Sequence, residues 1–236
     1  MRDDALVRFT AHELPREDLH ALMARSDGPA LRRAVWHLGM LVVTGTVLWR
    51  LRWTVWALPL VVVQGYMLAF IFCALHETAH RTAFRTRWLN PVLGTLAGLL
   101  GFWPYRNYRV YHWDHHRFTQ DLDRDPELYF PKPASLPMYL LVLSGIPNAI
   151  RRIGDILRLA SGRADRPWMA PSERRPLIVV RLFAWNMPYH AEHHAYPAIP
   201  FHALPRLHAR VRGKIENLEA GYVRASVKVA RYLLGG

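Results

Sequence analysis

The chain has 236 residues, enough for one domain or two small ones, and its 31 Lys+Arg against 18 Asp+Glu leave a formal charge of +13. A mean hydropathy of −0.03 hides two populations, long apolar blocks and very basic stretches between them. Such a charge suits nucleic acid or an anionic membrane surface; the apolar blocks, with no Gly-rich RNA motif, C2H2 finger or basic heptad region beside them, exclude nucleic acid as the partner.

Residues 1–33 read as soluble and carry no apolar core of a signal peptide. A short amphipathic helix is expected around Glu13–Arg25, ended by Ser26-Asp27-Gly28-Pro29. Ala34–Trp49 is apolar; Arg50-Leu51-Arg52 interrupts; Trp53–Leu75 is apolar again over 23 residues without a charge. As a helix the second block is roughly 34 Å long, enough for a hydrocarbon core of about 30 Å. The first block, at 16 residues, spans only if its Arg-bearing ends snorkel. Together they predict a transmembrane hairpin over 34–75, the alternative being a buried helical pair in a soluble protein. Trp49, Trp53 and Trp56 fit an interfacial belt at its turn. The turn holds only Arg50 and Arg52 of the 31 basic residues, so the positive-inside rule puts both hairpin ends in the cytoplasm. The single cysteine, Cys73, lies in the apolar block and reads as a small buried residue that can form no internal disulfide.

Trp88–Trp103 and Leu136–Ile150 are apolar blocks of 16 and 15 residues, short for a span. The first is broken up by Pro91, Gly94, Gly98 and Gly101, and re-entrant or interfacial helices are expected. From His202 to Leu234 the chain is basic, with Leu207, Val211, Ile215 and Leu218 at helical spacing, then Val223 and Val227. It predicts a cytoplasmic helical cap lying on the membrane surface.

Eight of the 13 histidines fall in three groups: His76-Glu77-Thr78-Ala79-His80, His112-Trp113-Asp114-His115-His116 and His190-Ala191-Glu192-His193-His194. Positions i and i+3 or i+4 share a helix face, so His76 and His80 aim two imidazoles at one point, and each later triplet does the same with three. Imidazole suits iron, zinc, copper and nickel. Eight donors exceed what one tetrahedral zinc uses, and two metals with about four imidazoles each, leaving room for O2, fit the count. A lone HxxxH is weak evidence; the repeated HxxHH beside an apolar hairpin is not. The first group directly follows Leu75, at the cytoplasmic end of the long apolar helix. One shared site requires all three groups on that side, and the intervening block is too short to cross. His12, His20, His37, His202 and His208 read as structural.

HETAH, HWDHH and HAEHH, in that order beside apolar hairpins, resemble the three histidine boxes of the membrane fatty acid desaturase family. The flanks agree: Arg117-Phe118-Thr119-Gln120-Asp121 and Asp125-Pro126-Glu127 after box 2, and Asn186-Met187-Pro188-Tyr189 and Ala195-Tyr196-Pro197 around box 3. The likeness runs from roughly residue 20 to 215 and is closer to bacterial desaturases than to alkane or sterol-type hydroxylases.

The resemblance implies one all-α integral-membrane domain over 1–236. It comprises the hairpin over 34–75, boxes 1 and 2 over 76–130, an interfacial helix over 136–150, and box 3 with the C-terminal cap over 186–236. It implies a non-haem di-iron centre held by His76, His80, His112, His115, His116, His190, His193 and His194, with O2 as co-substrate. A lipid acyl chain would be the substrate. A separate donor of ferredoxin or cytochrome b5 type, with its reductase, would supply electrons. The expected location is the inner (cytoplasmic) membrane, with the boxes and both termini cytoplasmic. Asp114 and Glu192 either accept an N–H from a ligand imidazole or are solvated or paired with arginines. Asn186, Asp121 and Asp125 are further candidates for that supporting shell. Arg106, Arg109, Arg117 and Arg124 either meet an acidic head group or donor protein or are ordinary positive-inside charge.

One departure from the family pattern stands out. A second hairpin and its additional ligand histidine are expected before box 3, yet Ser172-Glu173-Arg174-Arg175 runs almost directly into Leu177–Trp185. The missing piece falls between 175 and 185; because a hairpin is an even number of crossings, box 3 stays cytoplasmic without it. Three other readings remain: a di-iron lipid hydroxylase or ketolase, a non-catalytic truncated relative, and an intramembrane zinc protease using HETAH as HExxH.

Overall fold

In a computed structural model, the residues described are 14–119, 121, 123–127, 133–144, 146, 147, 150, 151, 153, 154, 183–214 and 222–234. They are helical, with no strand among them. The segment where the second family hairpin is expected lies largely outside the described residues.

The chain divides into two compact units, Met1–Tyr105 with Ile178–Leu218 and Arg106–Leu177 with Glu219–Gly236. In the first unit, α1 (Arg16–Leu22) is followed by α2 (Asp27–Leu51), α3 (Ala57–Ala79) and α4 (Leu89–Leu100). The unit is completed by α7 (His190–Ala195) and α8 (Leu204–Val211).

Helix α2 begins seven residues before the apolar block. Helix α1 already stops at Leu22, and Ser26-Asp27-Gly28-Pro29 instead starts α2, with Pro29 in the first turn where its missing N–H costs nothing. The added residues make α2 about 37 Å long, so the shortness read from 16 apolar residues disappears. Helices α2 and α3 are both long and apolar enough to cross a membrane. Their apolar residues point largely outward: Val35, Val42, Val43 and Val47 on α2 and Leu58, Val61, Val62 and Val63 on α3 are exposed. A buried pair in a soluble protein would hide these faces, whereas hydrocarbon accepts them.

Between the two helices the contacts are polar and specific. His37 Nε2 lies 2.9 Å from the Met67 carbonyl, Gln64 Nε2 donates to the Leu41 carbonyl at 3.3 Å, and Thr44 bonds Gln64. In an apolar surrounding such bonds join helices that the hydrophobic effect alone would not. At the turn, Arg52 stacks its guanidinium over Trp49 at 4.3 Å, and Trp49, Trp53 and Trp56 are exposed, as an interfacial belt requires.

Helix α4 corrects one expectation. Gly94 and Gly98 do not break it; they let it approach its neighbours. A Cβ on Gly94 would fall 2.3 Å from the Tyr105 ring and 2.7 Å from Thr78 Oγ1, and one on Gly98 would fall 2.1 Å from the Trp103 carbonyl oxygen. At 12 residues α4 is too short to span. The loop joining α3 to α4 is tied back to the start of α2: Thr86 donates through its N–H to Asp27 Oδ1 at 2.9 Å and through its hydroxyl to Asp27 Oδ2 at 2.6 Å.

The expected C-terminal cap is divided rather than continuous. Leu204, Leu207 and Val211 of α8 are buried in the first unit, so this helix packs as core instead of lying on a surface. Ile215 and Leu218 lie outside the described residues. In the second unit, α9 (Tyr222–Leu233) packs against α6 (Leu136–Ser144), and Val227, Val229 and Tyr232 remain exposed. The same unit holds nearly all of α5 (Tyr105–Phe118). The amphipathic N-terminal helix is realised as α1, whose Leu22 is buried and whose Asp18 pairs with Arg210 at 3.0 Å.

Candidate metal centre

Five box histidines belong to the first unit. His76 and His80 share one face of the last turn of α3, as the i, i+4 spacing dictates, and both are buried. That turn is held by Tyr105, whose hydroxyl donates to the Thr78 carbonyl at 2.9 Å. His193 comes from α7, more than a hundred residues away in sequence. Its Nε2 lies 3.0 Å from His76 Nε2 and 2.9 Å from His80 Nε2. On the same helix, His190 Nε2 and His194 Nε2 are 2.9 Å apart, and the His76 and His190 rings are 5.4 Å between centroids.

A short, tightly specified turn aims α7. Trp185 and Asn186 adopt positive φ values of 45° and 64°, which bulky Trp accepts only under constraint. The constraint is visible: Trp185 is fully buried against the Phe201 ring at 4.9 Å, and Asn186 Nδ2 donates to the Phe201 carbonyl at 2.9 Å. Asn186 therefore sets the backbone leading into box 3. Glu192, also buried, hydrogen-bonds His208 Nδ1, and the Tyr189 ring lies 5.1 Å from the His208 ring. His208, read from sequence as merely structural, thus anchors box 3 to α8.

The other three box histidines belong to the second unit. His112 and His116 face each other on α5 with Nε2 atoms 3.1 Å apart, and the Tyr108 ring stacks on His112 at 5.2 Å. The loop after α5 folds back on it. Asp121 Oδ1 accepts the Asp123 and Arg124 N–H groups, the Arg124 guanidinium covers the Phe118 ring at 3.8 Å, and Tyr111 donates to the Pro126 carbonyl at 3.0 Å. This brings two carboxylates to the box. Asp125 Oδ1 accepts from His115 Nδ1 at 2.8 Å. Glu127 Oε2 lies 3.4 Å from His115 Nε2, and its Oε1 lies 3.7 Å from His112 Nδ1. Asp114 points elsewhere: it is half-exposed and lies 3.6 Å from Arg117. Arg106, Arg117 and Arg124 are exposed, and Arg109 is half-buried.

The imidazole donors present suit first-row metal ions. Two ligand atoms each about 2.1 Å from one ion are about 3.0 Å apart when they meet it at a right angle. The Nε2 pairs described above are separated by 2.9 to 3.1 Å. Imidazoles whose Nε2 atoms converge at this spacing could turn their lone pairs onto a shared cation. The His115–Asp125 bond places a proton on Nδ1 and leaves Nε2 as the donor atom, the usual way a carboxylate orients a ligand histidine. Asp125→Asn keeps a side-chain oxygen for the Glu127 N–H, which donates to Oδ1 at 2.8 Å, but removes the charge facing His115. Its iron retention against a chelator is expected to fall about 10- to 100-fold; unchanged retention would remove Asp125 from the site.

Glu127 and the His208 partner of Glu192 were beyond sequence reasoning as site residues. The signal for Glu127 was there, in the acidic triplet Asp125-Pro126-Glu127 after box 2, but not its direction.

The profile of the family described as fatty acid desaturase matches residues 51–177 and 166–226. Over 95 residues the chain is 33% identical to an sn-1 oleoyl-lipid 12-desaturase of Picosynechococcus sp., covering 37% of this chain and 27% of that protein. It is 32% identical over 66 residues to an sn-1 acyl-lipid omega-3 desaturase (ferredoxin) of Nostoc sp., 28% of this chain and 18% of that one. It is 25% identical over 197 residues to a beta-carotene 4-ketolase of Protosiphon botryoides, 62% of this chain and 51% of the relative. The chain thus matches between 18% and 51% of the lengths of these curated relatives. No solved structure matches.

Proposed function

We propose, from the premise that this chain belongs to the fatty acid desaturase family, that it is an O2-dependent di-iron enzyme that introduces a double bond into the acyl chain of a lipid. The observation that carries the reading is the three-box pattern within the family match, supported by the short Nε2–Nε2 separations inside each unit. His76, His80, His190, His193 and His194 from the first unit and His112, His115 and His116 from the second would hold two iron ions. Bound iron would supply O2 activation: one –CH2–CH2– segment, one O2, two electrons and two protons give –CH=CH– and two waters.

The chain's own residues do the rest. Asp125 fixes the His115 tautomer, and Glu192 with His208 fixes the box 3 helix. Tyr105 and the glycines of α4 fix the end of α3. Such support keeps donor atoms within a few tenths of an ångström of productive geometry. The apolar flanks of α2 and α3 suit a membrane-embedded substrate. A separate donor supplies the electrons; the Nostoc relative carries ferredoxin in its name. The inner (cytoplasmic) membrane, with the boxes and both termini cytoplasmic, follows from the Arg and Lys distribution.

The family profile matches in two stretches. The ketolase relative, matched over the longest of these stretches, favours one second reading, oxygen insertion at a methylene of an apolar substrate. Product mass separates the two. Expression in a host lacking the activity, with lipid profiling by mass spectrometry and iron counting on purified protein, tests both. Loss of two hydrogens supports desaturation, gain of oxygen supports the second reading, and iron-free, inactive protein sinks both.

A further inference from the structure

Helix α4 runs down the last turns of α3, and the chain then returns to where it started. A Cβ on Gly94 would meet Thr78, one on Gly101 would meet Ile71, and Tyr105 again reaches the Thr78 carbonyl. Ile71 lies seven residues before Thr78, so the descent is about 10 Å. The outer side of α4 carries an apolar stripe: Trp88, Val92, Leu96 and Leu99, at helical spacing, are 63%, 56%, 40% and 71% exposed. Water would leave this stripe bare, and hydrocarbon covers it.

The loop that feeds α4 is basic and held fast. Arg85 and Arg87 flank Thr86, whose N–H and hydroxyl donate to Asp27. Asn90 closes the loop by bonding both the N–H and the carbonyl of Phe84. Both arginines are exposed, as is Arg25, two residues before Asp27. Arg25 and Arg87 form no ion pair among the described residues. Asp27 feels the Arg85 charge, but Thr86 already donates to both its oxygens. One hydrogen-bonded junction therefore presents three guanidiniums where the apolar stripe begins, with Trp88 between charge and stripe as at a membrane interface.

We infer that this corner of the first unit binds an anionic phospholipid of the inner leaflet, with Arg85 and Arg87, and Arg25 beside them, on its headgroup and the α4 stripe along its acyl chains. The inference rests on the membrane placement proposed above and not on the metal centre. With the box 1 end of α3 at the cytoplasmic surface, the arginines stand at headgroup level and α4 dips below it. A phospholipid joins acyl chains and negative charge in one molecule, and the cytoplasmic leaflet is the anionic one. An acidic protein would meet the charge and leave the stripe uncovered.

The test uses the full chain in uncharged detergent with dioctanoyl-phosphatidylglycerol, and dioctanoyl-phosphatidylcholine as the zwitterionic control. The wild type is expected to prefer the anionic lipid, and less so as salt rises. Arg85→Gln with Arg87→Gln should weaken phosphatidylglycerol binding about 5-fold for each charge removed, about 25-fold together, whereas Arg85→Lys with Arg87→Lys should keep most of it. Both positions are exposed, so a wild-type melting temperature is expected of both double variants. Cys73 is buried, so a polarity-sensitive dye on Val92→Cys reports one site, and in vesicles of the two lipids it should read an apolar surrounding. Equal affinity for the two lipids, a double Gln variant that binds as the wild type does, or a dye in water overturns the inference. So does displacement by inorganic phosphate at the lipid's own concentration, which would leave a plain anion site, or an acidic ferredoxin held by the same arginines with no lipid preference. Protein that stays in solution without detergent overturns the membrane placement as well; membrane-held protein indifferent to the headgroup overturns this inference alone.

Discussion

His193→Ala is expected to abolish product formation and to cut bound iron from two ions per chain to one or none. Its imidazole meets both histidines of α3, at 3.0 Å from His76 and 2.9 Å from His80. Removing it takes away a donor that neither of the others can replace, because both are held on one helix face and already point at the same place. Outer-shell partners of metal ligands cost about 10- to 100-fold when mutated, so loss of a ligand should exceed about 100-fold in metal affinity. The side chain is 1% exposed, so an alanine also leaves a small cavity, and a fall in melting temperature alone would not count. His193→Gln, closer in volume, controls for that: it should fold as the wild type does and still lose iron. Iron stoichiometry and lipid profiles check the expectation, and full iron content in both variants would remove His193 from the centre.

Gly98→Ala is expected to be strongly destabilising, its added carbon making the tightest contact among the described glycines. The added carbon would sit 2.1 Å from the Trp103 carbonyl oxygen and 3.4 Å from the Tyr105 nitrogen, both backbone atoms. The Gly98 carbonyl is itself held by the Trp103 N–H at 2.6 Å, so the turn after α4 has no slack. Relief requires moving the 101–105 segment, and Tyr105 is the residue that holds the Thr78 carbonyl in box 1. Overpacking of this kind costs typically 1–3 kcal/mol and more where backbone must move, so about 3 kcal/mol is expected. For a chain of this length that corresponds to a fall of roughly 6–12 °C in melting temperature. Because the displaced segment supports box 1, iron content should fall with stability. Melting in detergent and iron counting check it; a wild-type melting temperature would show that the segment moves freely. In the exposed first half of α3, Gly65→Ala should be nearly silent, since nothing lies within 4 Å of the position its added methyl would take.

What the sequence by itself determined is the set of features that arise from local periodicity and composition. A helix aligns residues i and i+4 wherever it forms, so the pairing of His76 with His80 and of His112 with His116 was readable from spacing, as were two apolar helices from their charge-free lengths. What only the tertiary structure decided depends on distance through space. His193 meets box 1 across more than a hundred residues, and His208 turns out to be the partner of Glu192. Asp125 and Glu127 reach His115 because a capped loop folds back on α5, while Asp114, inside the box, turns out toward Arg117. Gly94 and Gly98 read as breakers and act as contact points for the same reason: hydrogen-bond propensity is local, but the room a missing side chain leaves matters only to whatever neighbour the fold brings there.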